Sequence, residues 1–182
     1  MAAPETPASS ALPFADAIDQ SGQWLAAWEA GELSDEVLAD RVGGLVAHRD
    51  GARGFFVAAL TGDTPLMDRL PESLVLQLRL AGDGVVDLTA RNLAMSTAMA
   101  LAHGRVGDGE RQAASERVQA RSRELLRQLE PQAVKARLET LLQAARDGEG
   151  EDRAFLDRWG YDPEQRAAIA LAVESVAEPP PA

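Results

Sequence analysis

The chain has 182 residues and a net charge of −11, which fits one domain and disfavours non-specific binding to nucleic acid or anionic membranes. It has no cysteine, and this excludes disulfide frameworks, thiolate zinc sites and cysteine nucleophiles. Alanine and leucine, both good helix formers, number 34 and 23. These features predict an all-α fold: a single compact helical domain of six to nine helices.

Glycine and proline divide the chain into helical segments. Apolar residues recur at helical spacing from Phe14 to Trp28, Gly31 ends that pattern, and Ser34 is suited to cap the next helix. Further helices are predicted over residues 66–70, 72–80, 85–103, 109–129, 131–146 and 163–176. Residues 1–12 and 178–182 are predicted to be disordered ends around a helical domain over residues 13–177.

Two segments leave alternatives open. Residues 54–60 could form a short buried strand, and the alternating leucines of residues 74–80 before Asp83-Gly84 are also typical of a hairpin. A helix is preferred over 72–80 because leucine and glutamine favour helices. Glycines that follow aspartate are interpreted as left-handed helix terminators. These pairs are Asp50-Gly51, Asp83-Gly84, Asp108-Gly109 and Asp147-Gly148.

The sequence offers no catalytic constellation and no metal site. Neither His48 nor His103 has the glutamate three residues before it that a di-iron helix bundle needs. We therefore predict no catalytic residue, no metal and no cofactor. Enzymatic activity stays an open question, with a non-enzymatic role preferred.

One face of the predicted 85–103 helix carries polar groups. Asn92, Ser96 and His103 fall at spacings of four and seven residues in a segment of leucine, alanine and methionine. With Arg91 beside them, they form a possible ligand-facing site. In the alternative interpretation Arg91 pairs with Asp87 on the solvent side, and the polar stripe bonds a neighbouring loop.

The predicted 109–129 helix is rich in arginine, although the chain as a whole is acidic. Like charges four residues apart repel, so something should offset them. Glu124 could do so within the helix, in which case the arginines form an ordinary solvated face. The leading hypothesis is a docking face for an acidic or amphipathic protein partner, or for a second copy of the chain. The residues proposed for this face are Arg111, Arg117, Arg121 and Arg127.

All eight aromatic residues lie outside residues 57–154. This predicts that the two ends of the chain meet around Phe55-Phe56 and form one aromatic subcore. A tryptophan that is exposed instead would be the best candidate for an interface anchor.

Three stretches resemble a family of small uncharacterised cyanobacterial cytosolic proteins, over roughly residues 20–176. They are Gly51-Ala52-Arg53-Gly54-Phe55-Phe56, residues 92–99, and Phe155-Leu156 together with Arg158-Trp159-Gly160-Tyr161-Asp162. The resemblance implies a cyanobacterial cytosol and assigns no catalytic residue.

These observations lead to a protein-interaction or assembly function in the cytoplasm, with no membrane association. The alternative is a small-molecule-binding or enzymatic helical domain with its site on the 85–103 helix. A nucleic-acid role is third and is disfavoured by the net charge.

Overall fold

The computed structural model describes residues 11–178, and this range contains nine α-helices and no strand. The helices are α1 (Phe14–Glu29), α2 (Asp35–Val46), α3 (Arg49–Thr61), α4 (Glu72–Leu80), α5 (Asp83–Arg105), α6 (Gly109–Gln128), α7 (Pro131–Asp147), α8 (Arg153–Arg158) and α9 (Pro163–Glu174), with a 3-10 turn at Pro65–Asp68. The all-α prediction is confirmed. The segments predicted to be disordered lie almost entirely outside the described residues.

The helices form two groups around one hydrophobic core. Helices α1 to α4 pack against one another, as do α5 to α9, and α3 joins the groups by packing against α5 and α6. The approach of α1 to α3 is close, because a Cβ added to Gly54 would lie 2.5 Å from the Cβ of Ala17. Within residues 11–178, none of the helices combines the length and the apolar character needed to span a membrane.

Several helix boundaries follow from local chemistry. Ser34 caps α2 by accepting a hydrogen bond from the backbone N–H of Val37 at 3.3 Å. At the start of α9, Asp162 accepts from the backbone N–H of Gln165 at 2.9 Å, and the Gln165 side chain accepts from that of Asp162 at 3.0 Å. This capping box satisfies two amide groups that the helix itself cannot bond.

The interpretation of the Asp-Gly pairs holds at one position only. Gly148 has a φ of 67° and ends α7 in the left-handed conformation. The prediction is wrong for the other three glycines, because each lies in the first turn of a helix. They are Gly51, Gly84 and Gly109. There the preceding aspartate stands at the positive end of the helix dipole, which favours a helix start rather than a stop.

The strand alternatives are also wrong for the described chain. Residues 54–60 belong to α3, and residues 74–80 belong to α4, so no hairpin forms. Glycine in α3 weakens the helical pattern of the sequence but is needed for packing, since a Cβ on Gly51 would lie 2.1 Å from the carbonyl oxygen of Leu45. Tertiary contact therefore decides the conformation of this segment. The short helix α8 was not predicted.

Candidate functional site

A cavity of about 650 Å³, called the main cavity here, lies between α3 and α5, and residues of α1, α6 and α8 complete its lining. Its walls include four aromatic side chains from three separate parts of the chain. These are Phe14, Phe56, Phe155 and Trp159. The predicted single subcore does not form, because Trp24, Trp28 and Tyr161 do not line the main cavity. The chain ends do meet beside Phe56, through Phe14, Phe155 and Trp159. They line an open cavity rather than a sealed subcore, and Trp159 is 53% exposed at its edge.

Three arginines from three helices surround these rings: Arg53, Arg91 and Arg158. The Arg53 guanidinium lies over the ring of Phe14, 4.5 Å from its centroid, and Arg91 lies over Phe155 at 4.9 Å. Attraction between a cation and an aromatic face favours both positions. The lining thus combines three guanidinium groups and the carboxylate of Glu151 with apolar surface.

A chain of ion pairs holds Arg91 in place. Its Nε donates to the two carboxylate oxygens of Asp87 at 3.2 and 3.0 Å, which is the pair that the alternative interpretation of this helix predicted. Asp87 also accepts from Nε of Arg137 at 2.7 Å, and Arg137 donates two further bonds to the buried carboxylate of Asp152. The α7 side chain of Arg137 thereby fixes the groups that position Arg91, which limits the side-chain entropy that Arg91 would lose on binding.

All three arginines keep unused donors, although Nη1 of Arg53 bonds the carboxylate of Asp50 at 3.2 Å. Within the part of the chain that the structure describes, Nη1 and Nη2 of Arg91 and the whole guanidinium of Arg158 form no hydrogen bond with protein. An arginine presents up to five N–H groups in a planar fork that matches a carboxylate or a phosphate. Arg91 and Arg158 are therefore the lining groups best suited to hold an anion.

A smaller cavity of about 280 Å³, called the annex here, lies beside the main cavity between α5 and α6. Both cavities are lined by Thr61, Asn92, Met95 and Val118, so they adjoin each other. The rest of the annex wall consists of Ser96, Met99, Ala114 and Ser115. The Ser96 hydroxyl is already bonded to the carbonyl oxygen of Asn92 at 2.6 Å, which leaves the annex mainly apolar.

The predicted ligand-facing residues separate into two groups. Arg91 and Asn92 line the main cavity, and Ser96 lines the annex. His103 lies in the last turn of α5 and lines neither. Residues 11–178 contain no cluster of three or more histidine, aspartate or glutamate side chains that could hold a metal ion.

The arginines predicted to form a docking face have different environments. Arg121 is 4% exposed, so it does not lie on an exposed face as expected. It donates at 2.8 Å to each carboxylate oxygen of Asp68 and also bonds four backbone carbonyls at the end of α3 and just beyond it. The hydrogen bond from Arg121 lowers the pKa of Asp68. Burial of this cation is possible because its donors find partners on another segment.

The other three members of that set are less buried. Arg127 bonds the carbonyl oxygens of Ser175, Val176 and Glu178 and so closes the end of α9. Arg117 pairs with Asp63 at 3.2 Å and stays exposed. Arg111 is the most exposed of the set, and Asp108 lies 3.6 Å from it.

Sequence reasoning missed Arg53, Arg158 and the aromatic walls as site residues. The signal that could have found them was the set of three stretches that carry the family resemblance, since each contributes to the lining. The first supplies Arg53 and Phe56, the second supplies Asn92 and Met95, and the third supplies Phe155, Arg158 and Trp159.

Comparison with known proteins gives a family match. Neither the curated proteins nor the solved structures contain a significant match to the chain. A family model does match residues 13–176, which is nearly all of the described range and agrees with the expected membership of an uncharacterised family. The chain belongs to the family described as Uncharacterised conserved protein UCP020893.

Proposed function

We propose that this chain is a binding domain for a small organic anion with an apolar body, held in the main cavity. The observation that carries this proposal is the presence of Arg53, Arg91 and Arg158 in the wall of an aromatic-lined cavity, in a chain whose net charge is −11. The wall of the main cavity carries three arginines and one carboxylate, Glu151, and a surface with such an excess of cations favours an anionic partner.

The size and chemistry of the main cavity fit this class of ligand. Its volume of about 650 Å³ falls within the range of small-molecule sites, which are mostly apolar with a few convergent polar groups. Phe14, Phe56 and Phe155 offer apolar surface, while Arg91 and Arg158 offer charged donors. The Asn92 amide adds a group that can both donate and accept.

Only two of the four arginines predicted to form a docking face remain available for a protein partner. Arg121 and Arg127 direct their donors to groups of the same chain, so they are occupied by the fold. Arg111 and Arg117 remain exposed, and docking through these two stays a prediction. We also propose a cyanobacterial origin and a cytoplasmic location for the chain. The support for both is the resemblance of the three stretches described above.

The test uses two fluorescent probes that differ in charge. Anilinonaphthalene sulfonate is an aromatic anion, and phenylnaphthylamine is a neutral compound with the same ring systems. We expect the folded protein to bind the sulfonate more tightly than the neutral probe. Arg91→Gln and Arg158→Gln should each weaken sulfonate binding about tenfold, as loss of one charge-assisted hydrogen bond predicts.

The matched control is Arg153→Gln. Arg153 lies on α8 like Arg158 and is exposed, but it pairs with Asp157 at 3.4 Å and does not line the main cavity. This variant should bind the sulfonate as wild type does. Equal binding by all three variants, or no preference for the anionic probe, would refute the proposal.

A further inference from the structure

Resting on the proposed function, we infer that the ligand is a straight-chain carboxylate whose head group lies at the arginines and whose alkyl tail lies in the annex. Four residues line both cavities, so the two cavities adjoin, and the inferred ligand would occupy both of them. The inferred ligand would contact both the arginines of the main cavity and the apolar wall of the annex.

The annex has the surface that an alkyl chain needs. Met95 and Met99 lie one turn apart on α5, and they face Ala114 and Val118 on α6. Methionine is flexible and polarisable, and it adapts to chains of variable shape. Met99 is 46% exposed and Ala114 is exposed as well, so the tail would cover apolar surface that now contacts water.

The head group is placed by charge. The main cavity is lined by three arginines and one acidic residue, Glu151, while the annex is lined by no charged residue. A carboxylate therefore gains most beside Arg91 and Arg158, and an alkyl tail gains most where no charge must be desolvated. The distribution of charge along the two cavities thus fixes which end of the ligand lies in which cavity.

The experiment measures the affinity of butanoate, hexanoate, octanoate and decanoate for the full chain by calorimetry, at concentrations where each acid is monomeric. Each added methylene that enters the annex should tighten binding by up to about fourfold. Ala114→Phe fills the annex, so it should remove the advantage of decanoate over butanoate and leave butanoate binding unchanged. Ala113→Phe is the matched control, because Ala113 is an exposed neighbour on α6 that lines neither cavity.

A second measurement does not depend on any variant. In NMR spectra of the wild-type protein, decanoate should shift the methyl signals of Met95 and Met99, whereas Met67, which is buried in the core, should not respond. Binding that is independent of chain length, or equally affected by Ala114→Phe and Ala113→Phe, would overturn the inference while leaving the anion site intact. Absence of binding by every acid, together with loss of the arginine-dependent sulfonate binding, would overturn both proposals.

Discussion

The guanidinium of Arg121 on α6 donates two hydrogen bonds of 2.8 Å each to the carboxylate of Asp68 on the 3-10 turn. The same guanidinium reaches the carbonyl oxygens of Ala59, Leu60, Gly62 and Thr64. It thereby closes the C-terminal end of α3, where the last carbonyls of a helix have no partner within the helix. Arg121 thus links the two helical groups at α3, the helix that forms one wall of the main cavity.

Replacement of Arg121 should destabilise the protein, since its removal leaves several carbonyls and one carboxylate without a donor. We expect Arg121→Met to lower the free energy of unfolding by about 3 kcal/mol, because the carbonyls that the buried guanidinium bonds lose their donor. Arg111→Met on the same helix should cost less than about 0.5 kcal/mol, because Arg111 is exposed. Urea denaturation would measure both. Equal stability of the two variants would contradict the structural role of Arg121.

The pair between Arg121 and Asp68 should also make stability depend on pH. The pKa of Asp68 is lowered in the folded state by its hydrogen bond with Arg121, and an unfolded aspartate has a pKa of about 3.9. The stabilisation is therefore complete above pH 4 and is lost as the pH falls through the folded value. The stability difference between wild type and Asp68→Asn should shrink below about pH 4. A difference that stays constant from pH 7 to pH 2 would argue against this pair.

Gly54 should tolerate no side chain. A Cβ at this position would lie 2.5 Å from the Cβ of Ala17, whereas a Cβ at Gly22 in α1 would meet nothing within 4 Å. Gly54→Ala should lower the free energy of unfolding by about 1–3 kcal/mol through overpacking. Gly22→Ala should raise it by up to about 1 kcal/mol through helix propensity. Denaturant titration of both variants checks the opposite signs, and a stabilising Gly54→Ala would disprove the close approach of α1 and α3.

Trp159 should report on the main cavity by fluorescence. It is 53% exposed, while Trp24 and Trp28 pack against the core. A variant with Trp24→Phe and Trp28→Phe should therefore emit at longer wavelength than wild type and be quenched more strongly by acrylamide. The complementary Trp159→Phe variant should shift the emission the other way. Blue-shifted, protected emission from Trp159 would show that the cavity edge is closed in solution.

The helices could largely be predicted from the sequence because their signals are local. Ser34 and Asp162 mark helix starts through bonds that span three residues. The prediction failed at α3, where glycine weakens the helical pattern and the reason for glycine lies on other elements: Ala17 of α1 and the carbonyl of Leu45. Those contacts depend on how the helices pack, and no local pattern encodes them.

The candidate site was predictable only in part. Asn92 and Ser96 were found because they stand out on one face of an apolar helix, and that face does line the two cavities. Arg53 and Arg158 were missed because their meeting depends on the packing of α3 and α8 around α5. No spacing within one helix reveals such a meeting.

By itself the sequence determined the all-α class and most helix boundaries, since periodicity, capping and hydrophobicity act over a few residues or on average composition. Only the tertiary structure decided which arginines direct most of their donors to the fold and which keep N–H donors beside the main cavity. The partners of a guanidinium are set by geometry: Arg121 meets a carboxylate 53 residues earlier in the chain, while Arg91 and Arg158 are left beside an open cavity.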